Sequence, residues 1–191
     1  MALPARLRRA QTRVRAALLK LAKALDLARS VPDFPQPGVL FWDLTPVLAD
    51  AGALEAVVDG LYEAHDVVGT DLIAAIDARG FLFGAAFGVS YGYGVVPVRK
   101  AGKLPVVGQR LEYELEYGTA VLELPAGVIE PGQGVVVVDD VLATGGTAAA
   151  ACELLERAGA RVTGVCVVLE IGALNGRARL AGRPVHALRT L

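Results

Sequence analysis

The chain has 191 residues, a formal net charge of −1, 54% hydrophobic residues and 20% charged residues. This composition indicates a globular domain with a sizeable core and excludes a disordered chain. No stretch reaches the roughly 18 uncharged apolar residues of a membrane span, and residues 1–30 lack the apolar centre of a secretory signal, so we expect a cytoplasmic protein.

Basic charge is concentrated at the N-terminus, where residues 1–30 hold eight of the 19 Lys and Arg residues but one of the 20 acidic residues. Apolar residues recur there with helical spacing at Leu3, Leu7, Val14, Leu18, Leu21 and Leu25. We interpret residues 1–30 as an amphipathic helix appended to a domain of residues 31–191, packed on that domain or on a partner subunit. Docking on nucleic acid or on anionic lipid is the less favoured alternative, because no aromatic residue interleaves with the arginines and the charge of one helix is weak evidence.

Strands and helices alternate after residues 31–38, a stretch with three prolines that we predict to be an extended connector. The predicted strands are 71–77, 94–100, 111–117, 119–125, 135–140, 161–170 and 184–189. The predicted helices are 53–66, 81–92 and 147–159, with a further short helix before the last strand. Residues 101–110 read as a loop. This alternation is typical of an α/β fold whose central, mostly parallel sheet is flanked by helices.

Cysteine and histidine are sparse. Cys152 and Cys166 lie in apolar surroundings, and we predict two buried thiols rather than a disulfide or a metal pair. His65 and His186 match no motif and are interpreted as bystanders.

The segment VVVVDDVLATGGT, residues 135–147, combines an apolar strand, two acids and a glycine turn that opens a helix. Main-chain N–H groups and two hydroxyls at a helix N-terminus suit a phosphate, and ligands of open parallel sheets bind at this edge. A Walker loop is excluded, because the Gly-Lys-Ser/Thr ending is absent. We predict a ribose 5-phosphate site; the alternative is that the acids merely cap the turn.

The two acids suit the hydroxyls of the sugar, because a carboxylate accepts two donors at once. Side chains alternate along a strand, so Asp139 and Asp140 should point to opposite faces. Both reach one ribose only if the regular strand ends at about Asp139.

The same segment resembles the phosphoribosyl-pyrophosphate (PRPP) motif of the type I phosphoribosyltransferases. In chain order, FPQPGVLFWDLTPVL, DARGFLFG, VRKAGKLP and LEYG resemble segments of the adenine phosphoribosyltransferases. The resemblance covers about residue 30 to the C-terminus. It implies the type I fold, with a small base-binding hood and a flexible lid loop, and the conversion of adenine and PRPP to AMP and pyrophosphate in purine salvage. It also implies a homodimer and Mg²⁺ that is carried by PRPP without direct side-chain ligands.

The resemblance assigns the PRPP contacts residue by residue. The 5-phosphate contacts are Ala143, Thr144, Gly145, Gly146 and Thr147, and the ribose contacts are Asp139 and Asp140. The pyrophosphate and lid contacts are Arg79, Arg99, Lys100 and Lys103. In this family the turn that contains Arg79 often holds a non-proline cis peptide, and the loop after Lys100 closes over PRPP to exclude water.

The base contacts follow from the same resemblance. Glu116 matches the proposed acid/base near N7, the Leu40 main chain reads the purine edge, and the Phe41 ring stacks on it. Trp42 departs from the family, which usually has a basic residue there; an indole can stack or donate one hydrogen bond but supplies no cation. The neighbouring glutamates, Glu112, Glu114 and Glu123, are expected to be exposed.

Two other functions stay open at this point. The first is a non-catalytic PRPP sensor whose basic N-terminal helix touches nucleic acid. The second is a transferase for hypoxanthine, guanine or xanthine. Glu116 and the lid segment favour an enzyme, and the FPQPGV and LEYG segments favour adenine by resemblance.

Overall fold

The computed structural model describes residues 5–65, 69–114, 118–180 and 182–191. The chain divides after Gly60 into two compact units. The appendage boundary expected at residue 30 stays a prediction. Among the described residues, no helix has the length and apolar character that crossing a membrane requires.

Each predicted helix and strand has a counterpart in the described residues, with ends that differ by a few positions, although residue 66 of one predicted helix and residues 115–117 of one predicted strand lie outside them. The helices are Ala5–Leu25 (α1), Thr45–Ala49 (α2), Ala51–Ala64 (α3), Gly80–Tyr91 (α4) and Gly146–Arg157 (α5). The strands are Arg29–Pro32 (β1), Leu40–Asp43 (β2), Leu72–Ile76 (β3), Gly94–Lys100 (β4), Val107–Glu114 (β5), Thr119–Pro125 (β6), Gly134–Leu142 (β7), Arg161–Glu170 (β8) and Val185–Thr190 (β9). Two 3-10 helices, Gly172–Leu174 and Gly176–Leu180, lie between β8 and β9.

The N-terminal unit contains α1 and a two-stranded antiparallel sheet of β1 and β2. The predicted N-terminal helix is therefore confirmed as a helix, and its end is buried at Leu25, whereas Val14 and Leu18 are 60% and 59% exposed. The extended connector predicted for residues 31–38 is extended at Val31 and Pro32, which belong to β1, whereas residues 33–38 contain turns and bends. The residues of β1 gain main-chain partners from β2, and Pro32 is tolerated because both strands of a two-stranded sheet are edge strands.

The C-terminal unit contains a seven-stranded sheet in the order β5-β6-β4-β3-β7-β8-β9. Five neighbouring strands of this sheet run parallel, namely β4, β3, β7, β8 and β9. β6 runs antiparallel to β4 and to β5. All four valines of β7, residues 135–138, are fully buried, as expected for a central parallel strand covered on both faces. Helix α4 packs on β3, β4 and β7, and α5 packs on β5 to β8. The predicted mostly parallel α/β sheet is confirmed.

Three smaller predictions concern the two cysteines, His65 and one loop. Cys152 and Cys166 are buried free thiols, as expected, and burial raises the pKa of each to about 12. His65 is buried, with Nε2 at 3.0 Å from the Thr70 hydroxyl, and its interpretation as a bystander stays a prediction. The predicted loop of residues 101–110 is shorter than expected, because β5 begins at Val107 and pairs there with β6.

Candidate functional site

The turn after β7 leads directly into α5 and leaves the start of that helix open. Gly145 has a φ of 81°, and no side chain caps the N-terminus of α5. The first N–H groups of an α-helix have no partner within the helix, so they are available to an anion. A cavity of about 80 Å³ opens here and is lined by Asp139, Val141, Leu142, Ala143, Thr144, Gly145, Gly146, Thr147, Ala148 and Val167. The predicted phosphate residues therefore surround one cavity.

The second 3-10 helix packs against this turn backbone to backbone. A Cβ atom built on Gly145 would lie 2.2 Å from the carbonyl O of Gly176, and one built on Gly176 would lie 2.3 Å from the carbonyl O of Ala143. Neither position has room for a side chain. Gly176 was not identified from the sequence, because its role depends on packing between segments more than 30 residues apart.

β7 continues past the two aspartates, so the strand does not end at about Asp139, which was the condition for both side chains to reach one ribose. Asp139 pairs with Val167 of β8, and the ladder runs on to Leu142. Asp139 lines the cavity, whereas the buried Asp140 places Oδ2 at 2.6 Å from Nε of Arg79. Pairing with β8 keeps the strand regular, so successive side chains leave it in opposite directions. The assignment of both residues to one ribose stays a prediction.

The carboxyl of Asp139 lies in an unfavourable electrostatic environment. Burial raises its pKa well above the ordinary value, and the negative charge of Asp140 raises it further. The main-chain N–H of Asp140 donates to Oδ1 of Asp139 over 2.9 Å, and this bond and the charge of Arg79 oppose the rise. Hydroxyl donors or a cation from a ligand would favour the ionised form.

We expect Asp139→Asn to stabilise the ligand-free protein. A carboxyl whose pKa is raised by folding binds more protons in the folded state, so stability is lost as the pH rises through the folded pKa. Asparagine keeps an acceptor for the Asp140 N–H and carries no charge. The Tm measured by calorimetry at pH 7 should rise by a few degrees, and the gain should shrink as the pH falls towards 4. A Tm that is unchanged or lowered, relative to the exposed control Glu130→Gln, would contradict this account.

The turn between β3 and α4 lies beside the aspartates because β3 and β7 are neighbours in the sheet. The peptide bond after Asp77 is cis, as the resemblance implies. A Cβ on Gly80 would lie 2.8 Å from the carbonyl O of Val138, so the start of α4 packs closely on β7. This close approach brings Arg79 to Asp140. The proposed pyrophosphate contact of Arg79 stays a prediction.

The other predicted pyrophosphate residues lie at the end of β4 and in the loop that follows. Nε of Arg99 donates to Oδ2 of Asp77 over 3.0 Å, and its guanidinium carbon lies 5.4 Å from the centre of the Phe81 ring. Lys100 and Lys103 are exposed. Since β4 and β3 are parallel neighbours, Arg99 and Arg79 belong to the same edge of the sheet as the aspartates.

Two side chains that the sequence analysis did not identify border the open end of α5. The hydroxyl of Tyr113 lies 3.2 Å from the hydroxyl of Thr147. Nη1 of Arg179 lies 3.3 Å from the position that a Cβ on Gly146 would take. Side chains alternate between the two faces of β5, and this alternation predicts the face on which Tyr113 lies. Tyr113 could therefore have been identified from the sequence as a residue near the site. Nothing in the sequence indicates that Arg179 adds positive charge here.

The predicted glutamates differ in outcome. Glu116 lies in residues 115–117, outside the described residues, so its role stays a prediction. Glu112 and Glu114 are exposed on β5, as predicted. Glu123 corrects its prediction: it is only 2% exposed, because β6 is covered by β4 and β5 on its two edges and by α5 on a face.

The predicted base residues lie on β2 in the N-terminal unit. Leu40 is 55% exposed, and the Phe41 ring packs edge to face on Phe34 with centroids 5.0 Å apart. Trp42 is half-buried and pairs in register with Ser30 of β1. An exposed Leu40 is not an ordinary core residue. The base assignments of Leu40 and Phe41 stay predictions.

Comparison with known proteins agrees with this geometry. Residues 48–180 match the family model described as a phosphoribosyl transferase domain. The chain is 56% identical, over 90% of its length and 92% of the relative, to an adenine phosphoribosyltransferase of Saccharopolyspora erythraea. It is 57% identical to one of Clavibacter sepedonicus, over 88% and 89% of the two chains.

Solved structures of adenine phosphoribosyltransferases also resemble this chain. A crystal structure of adenine phosphoribosyltransferase from Thermoanaerobacter pseudethanolicus superposes with a TM-score of 0.85 at 45% identity, over 90% of this chain and 99% of that one. The Saccharomyces cerevisiae enzyme, complexed with an iminoaltritol bisphosphate and adenine, superposes with a TM-score of 0.82 at 38% identity, over 91% and 99%.

Proposed function

The chain belongs to the phosphoribosyltransferase family, and we infer that it is a purine salvage enzyme that converts adenine and PRPP to AMP and pyrophosphate. The observation that carries this conclusion is the cavity at the N-terminus of α5, with Asp139 in its lining. That arrangement suits a ribose 5-phosphate. The relatives reported above are adenine phosphoribosyltransferases, and this chain matches them over most of their length. A sensor without catalysis and a transferase for another purine are therefore not favoured.

The 5-phosphate is held by main-chain N–H groups rather than by a lysine. Gly145 and Gly146 allow the phosphate to approach the backbone, and the hydroxyls of Thr144 and Thr147 add donors. Tyr113 orients the Thr147 hydroxyl through their 3.2 Å contact. The 5-phosphate end of PRPP does not react. Its binding energy holds the anomeric carbon in position for attack.

The reaction exchanges one bond at the anomeric carbon for another. N9 of adenine forms a bond to C1′, the bond from C1′ to the pyrophosphate oxygen breaks, and pyrophosphate leaves with the electron pair. The sugar is cation-like in between, so the site must stabilise developing charge and exclude water. We assign the departing pyrophosphate to Arg79, Arg99, Lys100 and Lys103; the two arginines exchange the carboxylates of Asp140 and Asp77 for phosphate oxygens.

Adenine attacks through the N9 lone pair when its ring proton is on N7, and the new bond to C1′ releases that proton, which we assign to Glu116 on the strength of the LEYG resemblance. A carboxylate near N7 moves a proton effectively when burial brings its pKa towards neutrality. The purine itself is assigned to the Leu40 main chain, for its edge, and to the Phe41 ring, for stacking.

Magnesium is proposed as the cofactor, carried to the site by PRPP. Among the residues that the structure describes, no three His, Cys, Asp or Glu side chains group as a metal site. Mg²⁺ often binds through substrate phosphates and keeps several of its waters, and the Asp139 carboxylate in the cavity lining can accept hydrogen bonds from those waters, so the residues present fit an ion that needs no direct side-chain ligand. When bound, Mg²⁺ neutralises charge on the departing pyrophosphate.

A homodimer and a cytoplasmic location are further proposals. The apolar residues of α1 support self-association, because Val14, Leu18 and Leu19 are each more than half exposed. We do not propose binding to nucleic acid.

A base-selectivity assay tests the function. The purified protein with PRPP and Mg²⁺ should consume adenine and form AMP, with kcat/KM at least about 10²-fold above that for guanine, hypoxanthine or xanthine, because a polar purine edge leaves site groups unpaired when the wrong base binds. AMP and pyrophosphate are measured by chromatography. Consumption of PRPP with guanine but not with adenine would show that the base assignment is wrong.

A further inference from the structure

Glu123 is a buried carboxylate that the reaction described above does not use. It lies on β6, and its side chain is 3% exposed. Oε2 accepts the main-chain N–H of Gly102 over 3.0 Å, and Oε1 lies 3.5 Å from Nη1 of Arg110. Burying a carboxylate is unfavourable unless such partners replace its water. An apolar side chain would fill the same space without that cost in free energy, so the acid calls for another explanation than packing.

The two partners of Glu123 come from the two sides of one loop. Gly102 follows β4, and Arg110 lies on β5, which begins directly after the loop of residues 101–106. The strand registers place Arg99 of β4 and Arg110 of β5 directly opposite Glu123. Residues opposite one another in antiparallel pairs share a face of the sheet, so Glu123 lies between two arginines where the loop leaves and rejoins the sheet.

The first turn of this loop has little packing to hold it. Gly102 has a φ of 75°, and a Cβ built on it would have no atom within 4 Å. The N–H of Ala101 donates to the carbonyl of Val121 over 3.1 Å, and the next N–H is the one that Glu123 accepts. Lys103, which we assign to pyrophosphate, comes directly after this turn. The position of Lys103 therefore depends on what holds Gly102.

We propose that Glu123 is a positioning residue that anchors the first turn of the 101–106 loop and thereby presents Lys103 to the pyrophosphate end of PRPP. Its consequence for catalysis rests on the proposed function, whereas the anchoring is a property of the protein without substrate. Loss of the acceptor releases the start of the loop and leaves the 5-phosphate cavity on β7 and α5 intact. Binding of PRPP then weakens, and binding of adenine does not.

Three variants separate anchoring from general stability. Glu123→Met keeps the side-chain volume and removes the strong acceptor, a type of change that buried charges often tolerate. Glu123→Gln keeps an oxygen for the Gly102 N–H. Glu112→Gln removes an exposed glutamate from the adjacent strand as the control. The readouts are the rate of tryptic cleavage after Lys103 without substrate, followed by mass spectrometry, the kcat and the KM values for PRPP and adenine, and the Tm.

In the Met variant, cleavage after Lys103 and the KM for PRPP should each rise about tenfold, the equivalent of one lost hydrogen bond to a charged group. Its kcat, its KM for adenine and its Tm should stay close to the wild-type values. The Gln variant should be cleaved at nearly the wild-type rate, and the control should match the wild type throughout.

The proposal is overturned if the Met variant is cleaved after Lys103 at the wild-type rate, or if both KM values and the Tm change together. Should the Met variant fail to fold, hydrogen exchange of the Gly102 amide in the wild type decides: protection supports the anchor, and exchange as fast as an unstructured amide refutes it. A wild-type protein without transferase activity would refute the proposed function, while the cleavage rates would still test the anchor.

Discussion

Replacing Glu116 by Gln should lower kcat by about 10²–10⁴-fold, the usual contribution of a positioned acid/base, and should change the KM for PRPP little. Glutamine has nearly the same shape and can still accept and donate hydrogen bonds, but it cannot take or return a proton at neutral pH. PRPP binds mainly through its phosphates and ribose, which other residues hold. Steady-state kinetics with adenine and PRPP, together with PRPP binding by calorimetry, measure the two effects separately.

The matched control is Glu114→Gln, two positions earlier on the exposed side of β5. It removes the same charge two positions away in the chain and should leave kcat unchanged. If Glu116→Gln keeps turnover within about tenfold of the wild type, Glu116 is not the acid/base, since such a group contributes about 10²-fold or more.

Gly145→Ala should raise the KM for PRPP by about 10²-fold, because a shift of about 1 Å in a positioning element has effects of that size. The new Cβ would lie 2.2 Å from the carbonyl O of Gly176. The positions of both atoms are set by the backbone, so no side-chain rotation can relieve the clash. Relief requires the phosphate turn to move away from the second 3-10 helix, which displaces the N–H groups that hold the 5-phosphate. AMP binding by calorimetry measures the loss without turnover.

Gly132→Ala separates the clash from backbone strain. Gly132 has a φ of 83°, close to the 81° of Gly145, and a Cβ there would meet nothing within 4 Å. In both variants an alanine must adopt a left-handed backbone conformation, which lowers the free energy of unfolding by about 1–2 kcal/mol. Only Gly145→Ala should also lose AMP affinity. Equal AMP binding by the two variants would show that the contact with Gly176 does not position the turn.

The phosphate cavity could be predicted from the sequence because its determinants are local. An apolar run of valines is typical of a central strand, and the glycines directly after it predict a turn into a helix N-terminus. Ala143 to Thr147 surround one cavity in the structure for this reason. The confirmed buried thiols, Cys152 and Cys166, are likewise read from apolar neighbours along the chain.

The features that the sequence did not predict depend on neighbours distant in the chain. Asp139 stays in a regular strand because β8, more than 20 residues later, continues to pair with it. Glu123 is buried because two strands cover its own, and alternation along β6 alone does not reveal that. Gly176 and Arg179 reach the site through the packing of the second 3-10 helix against the phosphate turn. Such contacts are set by tertiary structure and leave no periodic pattern in the sequence.

The central claim is that main-chain amides at the start of α5 hold the sugar phosphate, and a crystal structure of the complex with AMP tests it most directly. We expect the 5′-phosphate oxygens within hydrogen-bonding distance of the N–H groups of Gly145, Gly146 and Thr147, at about 2.7–3.2 Å, with the ribose next to Asp139. AMP bound with its phosphate away from these amides would contradict the account.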